Sequence, residues 1–166
     1  MARHSSAEPS QTPGRTSPGL RLLATGAGVG DVPVAPGTVG SLLGAALCLP
    51  LLILPESAYL GATIGLTAVA IWAAGGMAAE VGEADPAPVV IDEIVGMLWA
   101  AMALTPHLLD VAAVFLLFRL FDIVKPAPIL WLERLPGGLG IVADDVAAGL
   151  LARATWWLLK VNFDLP

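Results

Sequence analysis

Asp144 and Asp145 stand side by side in "GGLGIVADDVAAGLL", at the entrance to a strongly apolar run. An ionised carboxylate beside hydrocarbon is costly unless something pairs with it. One of the two can serve as an N-cap at the positive end of a helix, which accounts for one aspartate and not for two. A second acidic pair, Asp92 and Glu93, lies in "DPAPVVIDEIVG", about four residues inside an apolar helix. Adjacent helical residues point about 100° apart, since a turn takes 3.6 residues. The pair therefore cannot face one point without a bend or two nearby metal ions. Either one acid binds a metal while the other holds a neighbouring cation, or both belong to a solvated helix start. In "FRLFDIVKPAPI", Arg119, Asp122 and Lys125 are spaced i, i+3, i+6 and share roughly one helix face, and Pro126 ends the helix. They form either a structural string of ion pairs or a metal ligand flanked by two phosphate-binding cations. In "GAGVGDVPVAPGTVGSLLG", Pro36-Gly37 marks a turn, and Thr38 or Ser41 can cap the helix that follows. The N–H groups at such a glycine-rich start suit a phosphate; the plain alternative is an ordinary turn and cap.

Other chemistries find little support. Cys48 lies inside an apolar run with no arginine loop beside it, which argues against a cysteine phosphatase and for a small buried hydrophobe. His4 sits in a polar tail and His107 in a turn-like "TPH", so neither is placed to serve a serine nucleophile. What remains is carboxylates, Arg, Lys and glycine loops. Carboxylates with water suit Mg²⁺, which takes few protein ligands and shares substrate phosphate oxygens. Such an ion offsets phosphate charge and activates a water. The reading is that the acids hold a magnesium ion against a phosphorylated membrane lipid.

The elements that must position these residues are apolar. The chain has 166 residues, room for one domain, and is 57% hydrophobic with only 13% charged residues. Its mean hydropathy is +0.81. A soluble domain carries about 25% charged residues, so the composition points to a membrane class, and with the apolar segments below the expected fold is an all-α integral membrane protein of about five helices. The net charge of −6 is thinly spread and offers no basic footprint for nucleic acid. One cysteine permits no internal disulfide. Residues 1–19 read as a disordered polar tail without the pattern of a signal peptide, and residues 20–166 as the membrane domain.

Five apolar segments follow the tail: Val39 to Leu54, Ala58 to Ala79, Val89 to Leu104, Leu108 to about Lys125, and Val142 to Val161. Only the second has clear spanning length without its polar ends, since about 20 residues cross a bilayer core. The connectors "PES" and "TPHLLD" hold no Lys or Arg. The N-terminal side, with Arg3, Arg15 and Arg21, and the connectors before the third and fifth segments hold most of the polar content. An alternating five-helix path places these three on one side, and the positive-inside tendency makes that side cytosolic. Lys160 falls on the opposite side as an exception.

"PGTVGSL", "VVIDEIVG", "FRLFDIVKPAPI" and "GGLGIVADDVAAG", in this order and spacing, resemble the phosphatidylglycerophosphatase A family from about Ala24 to Leu151. The resemblance implies a magnesium-dependent phosphatase of bacterial membranes; the apolar segments add the multi-pass expectation for the cell membrane, and the charge pattern the cytosolic face of the site. It implies hydrolysis of phosphatidylglycerophosphate to phosphatidylglycerol and inorganic phosphate, in phosphatidylglycerol and cardiolipin synthesis. The family's acidic positions fall on Asp92, Glu93, Asp122, Asp144 and Asp145, its basic ones on Arg119 and Lys125. Its Gly-Thr-x-Gly-Ser element falls on Gly37, Thr38, Gly40 and Ser41. Val39 and Val142 depart from the usual aromatic and Met, both as apolar swaps. In the roles that follow, Asp92, Glu93, Asp122 and Asp144 bind the metal, and Asp145 orients or deprotonates the attacking water, a role exchangeable with Asp144. Arg119 and Lys125 neutralise the phosphate, and Gly37, Thr38, Gly40 and Ser41 contact it through the turn's N–H groups. Three alternatives stand beside this reading: a phosphatase for another lipid phosphate monoester, a small ion-coupled transporter and a structural membrane protein. A transporter calls for acids near helix middles and for inverted repeats. The acids here lie at helix ends, and no repeat is visible.

Overall fold

The computed structural model describes residues 17–164. Among them are seven α-helices, one 3-10 turn (Val29–Asp31) and no strand. The helices are α1 (Pro18–Ala24), α2 (Pro36–Leu51), α3 (Glu56–Val81), α4 (Ile91–Ala101), α5 (Leu108–Val124), α6 (Ala127–Leu132) and α7 (Gly138–Phe163). The five longer helices overlap the five apolar segments; α1 and α6 come in addition. Most of the polar stretch 1–19, with His4, Arg3 and Arg15, lies outside the described residues.

Helix limits follow local chemistry. Pro36 opens α2 because its fixed φ suits the first helical position. Gly82 closes α3 in the left-handed conformation, φ 79°. α5 stops at Val124, one residue ahead of the Lys125-Pro126 pair. Two sequence expectations are corrected here. Neither Thr38 nor Ser41 caps α2: the cap position is Ala35, and Ser41 lies inside the helix with its hydroxyl donating to the Gly37 carbonyl at 2.7 Å. Neither Asp144 nor Asp145 caps α7, which begins at Gly138, so both acids lie well inside the helix. The helix starts that early because Gly138 packs against the Ile71 carbonyl of α3, an approach any Cβ would block.

α4 runs through the middle of the bundle, packed on by α7, α2, α3 and α5. Nine of its 11 residues are buried. Small residues permit this: Ala100, Ala101, Ala148 and Ala152 are fully covered, and Gly149 lies so close to the Gly96 carbonyl that no side chain would fit. Many large apolar side chains point outward, among them Trp72, Leu109, Leu116, Ile123 and Trp157. Phe118, Met97 and Leu98 fill the interior beside these small residues, so close helix approach is local, as at the α4–α7 contact.

Length and apolarity support spanning most clearly for one of the five expected segments among the described residues. One helix, α3, is long and apolar enough to cross a membrane; its 26 residues extend about 39 Å at 1.5 Å per residue. α4, with 11 residues, reaches only about 16 Å. α7 has the length but carries Asp144, Asp145, Arg153 and Lys160.

At the end of the bundle away from the motifs, Asp110 is buried and fully engaged. It accepts hydrogen bonds from Thr105 Oγ1 (3.1 Å), Trp156 Nε1 (3.1 Å) and Lys160 Nζ (3.1 Å). Arg153 donates to the carbonyls of Met102 (2.6 Å) and Ala103 (3.2 Å). The exceptional Lys160 therefore ties α7 to the start of α5.

Candidate active site

The polar motifs meet around one cavity of about 240 Å³ at the opposite end of the bundle. The first turn of α2 supplies Gly37, the α3–α4 loop Asp85, and the start of α4 Asp92 and Glu93. The last turns of α5 supply Arg119 and Asp122, its cap Lys125, and the early turns of α7 Asp144 and Asp145. Helices α2, α4 and α7 point their N-termini toward this end, where a negative charge is favoured. Backbone is strained at its rim: Ala35 and Lys125 hold positive φ values of 48° and 44°. Non-glycine residues in that region cost about 1–3 kcal/mol each and persist where the surroundings hold them.

Within the cavity the acids divide into two kinds. Asp92, Glu93 and Asp145 each present a carboxylate oxygen, and these atoms lie within 4.8 Å of one another. Asp92 Oδ1, Glu93 Oε2 and Asp145 Oδ1 are buried without a hydrogen-bond partner. The adjacent pair Asp92 and Glu93 thus does converge. They sit in the first turn, and the extra methylene of Glu lets its carboxylate reach across to that of Asp92. Gly37 makes room for it: a Cβ there would collide with Glu93 Oε1.

Asp122 and Asp144 are instead held by cations. Arg119 pairs with Asp122 at 2.6 Å, and its Nη1 donates to Ser41 Oγ at 3.2 Å. Lys125 pairs with Asp144 at 2.8 Å and with Glu133 at 3.3 Å. Asp144 Oδ1 also accepts the Asp145 backbone N–H at 3.0 Å, so both its oxygens are engaged. The string Arg119–Asp122–Lys125 is therefore not one continuous ladder, because Lys125 leaves the helix and turns to α7.

Six carboxylates face two cations across this cavity. Buried ionised groups left unpaired carry a penalty of several kcal/mol each. A divalent cation among Asp92, Glu93 and Asp145 removes that penalty, and an all-oxygen donor set is what Mg²⁺ prefers. The donors present fit such an ion.

The family of phosphatidylglycerophosphatase A matches residues 22–160. This chain belongs to that family. A phosphatidylglycerophosphatase A of Escherichia coli K12 is 36% identical over 147 residues, covering 87% of this chain and 85% of the relative. A phosphatidylglycerophosphatase A of Haemophilus influenzae is 40% identical over 149 residues, covering 84% and 91%. A Bacteroides thetaiotaomicron protein provisionally named a phosphatidylinositol-3-phosphatase is 42% identical over 149 residues, covering 81% and 92%. No solved structure matches the chain.

The cavity of this phosphatidylglycerophosphatase A family member brings together eight of the eleven residues singled out in the sequence and leaves Ser41 one contact away. Ser41 enters through Arg119, and Gly40 and Thr38 stand in the first turns of α2. Gly40 faces Val90, the residue that precedes α4, where a Cβ would not fit, so its role is close packing and not contact with the cavity. Sequence reasoning counted Asp85 and Glu133 only as polar connector residues. Asp85 lines the cavity, and desolvation there raises its carboxyl above the ordinary value while Lys125 pulls it back. The signal available for Asp85 was "DPAP", a stiff turn that fixes it just ahead of the Asp92-Glu93 pair.

Proposed function

We propose that this protein is a magnesium-dependent lipid phosphatase. It hydrolyses the terminal monoester of phosphatidylglycerophosphate to phosphatidylglycerol and inorganic phosphate. The observation that carries this is the convergence of three carboxylates, Asp92, Glu93 and Asp145, each with a buried oxygen lacking a partner, beside Arg119 and Lys125. The names of two relatives supply the substrate.

Asp92, Glu93 and Asp145 would hold Mg²⁺. When bound, the ion lowers the pKa of a water and screens the phosphate charge. This redraws the metal set expected from the sequence, adding Asp145 and moving Asp122 and Asp144 to the cations. Asp145 has two oxygens and can hold the ion through one and orient the attacking water through the other. Arg119 and Lys125 face the phosphate's non-bridging oxygens, where charge accumulates as the P–O bond to the lipid breaks. Asp122 and Asp144 fix those two cations, and Ser41 steadies Arg119 from the side of α2. The N–H groups of the first turn of α2 add a weaker positive potential. Water attacks phosphorus, inorganic phosphate leaves, and the lipid's oxygen takes up the proton.

The surrounding protein reads as a multi-pass bundle of the bacterial cell membrane, with the cavity at the cytosolic surface. The outward large apolar side chains and α3 support embedding. Arg21, Arg119, Lys125 and Arg134 at the cavity end outnumber Arg153 and Lys160 at the other, in line with the positive-inside tendency. A second substrate reading, another lipid phosphate monoester, is favoured by the name of the Bacteroides relative.

Phosphate release by the purified protein in mixed micelles tests the proposal. The substrates are phosphatidylglycerophosphate, phosphatidylinositol 3-phosphate and soluble glycerol 3-phosphate, each with magnesium and with chelator. Magnesium-dependent release from the first alone is the expected result. Preference for the second would replace the substrate; release unaffected by chelator would remove the metal.

A further inference from the structure

An apolar groove of about 300 Å³ runs between α2 and α5 on the outside of the bundle. Leu42, Ala45 and Leu49 of α2 and Val111, Ala112 and Phe115 of α5 form its walls, and no polar side chain enters it. The groove exists because Ala45 and Ala112 are small between larger neighbours. Its position is what makes it informative. α2 and α5 are joined at the cavity end by the Arg119–Ser41 hydrogen bond, 3.2 Å long. Leu42 follows Ser41 directly, and Phe115 lies one turn before Arg119. Along α5, at 1.5 Å per residue, the groove begins about 6 Å from Arg119 and extends to about 16 Å, at the level of Leu108. Arg119 stands at its rim with Nε buried and unpartnered.

We infer that this groove seats one acyl chain of the lipid whose phosphate enters the cavity. An anionic amphiphile matches both ends: a guanidinium and a metal-binding cluster at the top, and a dry trough leading away from them into the depth of the bundle. The larger neighbouring cavity, about 370 Å³, shares Asp85 and Asp144 with the site and is also lined by Glu83 and Glu133, so hydrocarbon there would lie beside four carboxylates, whereas the α2–α5 groove carries none. Chain burial in the α2–α5 groove would orient the headgroup toward Arg119 and would make the enzyme selective for lipids over soluble phosphate esters. This inference rests on the lipid phosphatase reading, and it goes further by giving the hydrocarbon a place.

The test is photolabelling of the full chain in mixed micelles with phosphatidylglycerophosphate carrying a diazirine midway along one acyl chain, followed by peptide mapping. Label should concentrate on residues 42–49 and 108–115. Excess unlabelled phosphatidylglycerophosphate should displace it, and excess phosphatidylcholine should not. Ala112→Phe, at an exposed position, should fill the groove and abolish the displaceable label. It should also raise KM for a long-chain substrate about tenfold, since several methylenes lose burial, while kinetics with a dihexanoyl analogue stay unchanged. Ala46→Phe, likewise exposed, provides a second filling variant if the first misfolds. Label spread evenly over all outward faces, or equal effects on both chain lengths, would overturn the inference. So would a shift from dimer to monomer on filling, which would assign the groove to a second copy of the chain. Displaceable labelling without phosphate release would retire the phosphatase reading and leave the groove; phosphate release without displaceable labelling would do the reverse.

Discussion

The two ends of this bundle treat buried carboxylates in opposite ways. At one end Asp110 is surrounded by donors, Thr105, Trp156 and Lys160, and both of its oxygens are engaged. At the other, Asp92, Glu93 and Asp145 crowd together and each keeps a buried oxygen with no partner. A buried acid with matched donors holds helices together. A buried trio without them repels itself when ionised, and a positive charge among its oxygens would relieve that repulsion. The cations lining that cavity, Arg119 and Lys125, are taken by Asp122 and Asp144, which keeps them in place and leaves the trio without an ion pair of its own.

Asp145→Asn breaks the comparison most severely. Phosphate release should fall about a thousandfold, the equivalent of losing several kcal/mol of metal-derived stabilisation. Asp110→Asn, assayed beside it, should keep activity within about twofold, because its interactions lie far from the reacting atoms. Equal losses in the two variants would erase the functional distinction between the ends. Next in size, Arg119→Gln and Lys125→Gln should each cost about a hundredfold in kcat, the scale for removing one charged donor from a transition state. Asp122→Asn and Asp144→Asn should follow them closely, since each frees a cation from its fixed position.

Stability should invert the order. Unfolding in chelator should show Asp110→Asn destabilised by about 2 kcal/mol, the scale of hydrogen bonds to a charged group. Asp145→Asn should unfold at the parent's temperature or above it, because one of three mutually repelling acids is gone. Magnesium should raise the parent's thermal midpoint progressively with concentration, as a ligand bound only to the native state does. Asp110→Asn should keep that rise and Asp145→Asn should lose it; a rise of equal size in all three would move the ion elsewhere. The smallest effect belongs to Ser41→Ala, a KM increase of about threefold, because a neutral hydrogen bond that only steadies Arg119 is worth about 0.5–1.5 kcal/mol.

Much of the site was legible along the chain. The motif residues are ionisable or glycine at places where apolar residues would otherwise continue, and that contrast is a property of sequence alone. Asp85 was less legible, because an acid in a Pro-rich connector looks like any solvated loop residue. Lys160 looked like an exception to the charge pattern; its partner Asp110 is 50 positions away, and only folding brings them together. Helix packing was the least legible part. Hydropathy marks where apolar residues run, but α4 is central because Gly96 and Gly149 let α7 close over it, and a hydropathy profile holds no such contact.

Composition and local pattern by themselves determined that the chain is helical, apolar and built around four polar motifs, because helix limits and hydrophobic runs depend on near neighbours. They could not decide which acids meet. Side-chain reach, the room left by Gly37 and the capture of Lys125 by α7 depend on distances between segments far apart in the chain. Only the tertiary structure therefore separated the trio Asp92, Glu93 and Asp145 from the paired acids Asp122 and Asp144. The physical reason is that a carboxylate's role is set by the charges within a few ångströms of it, and packing chooses those.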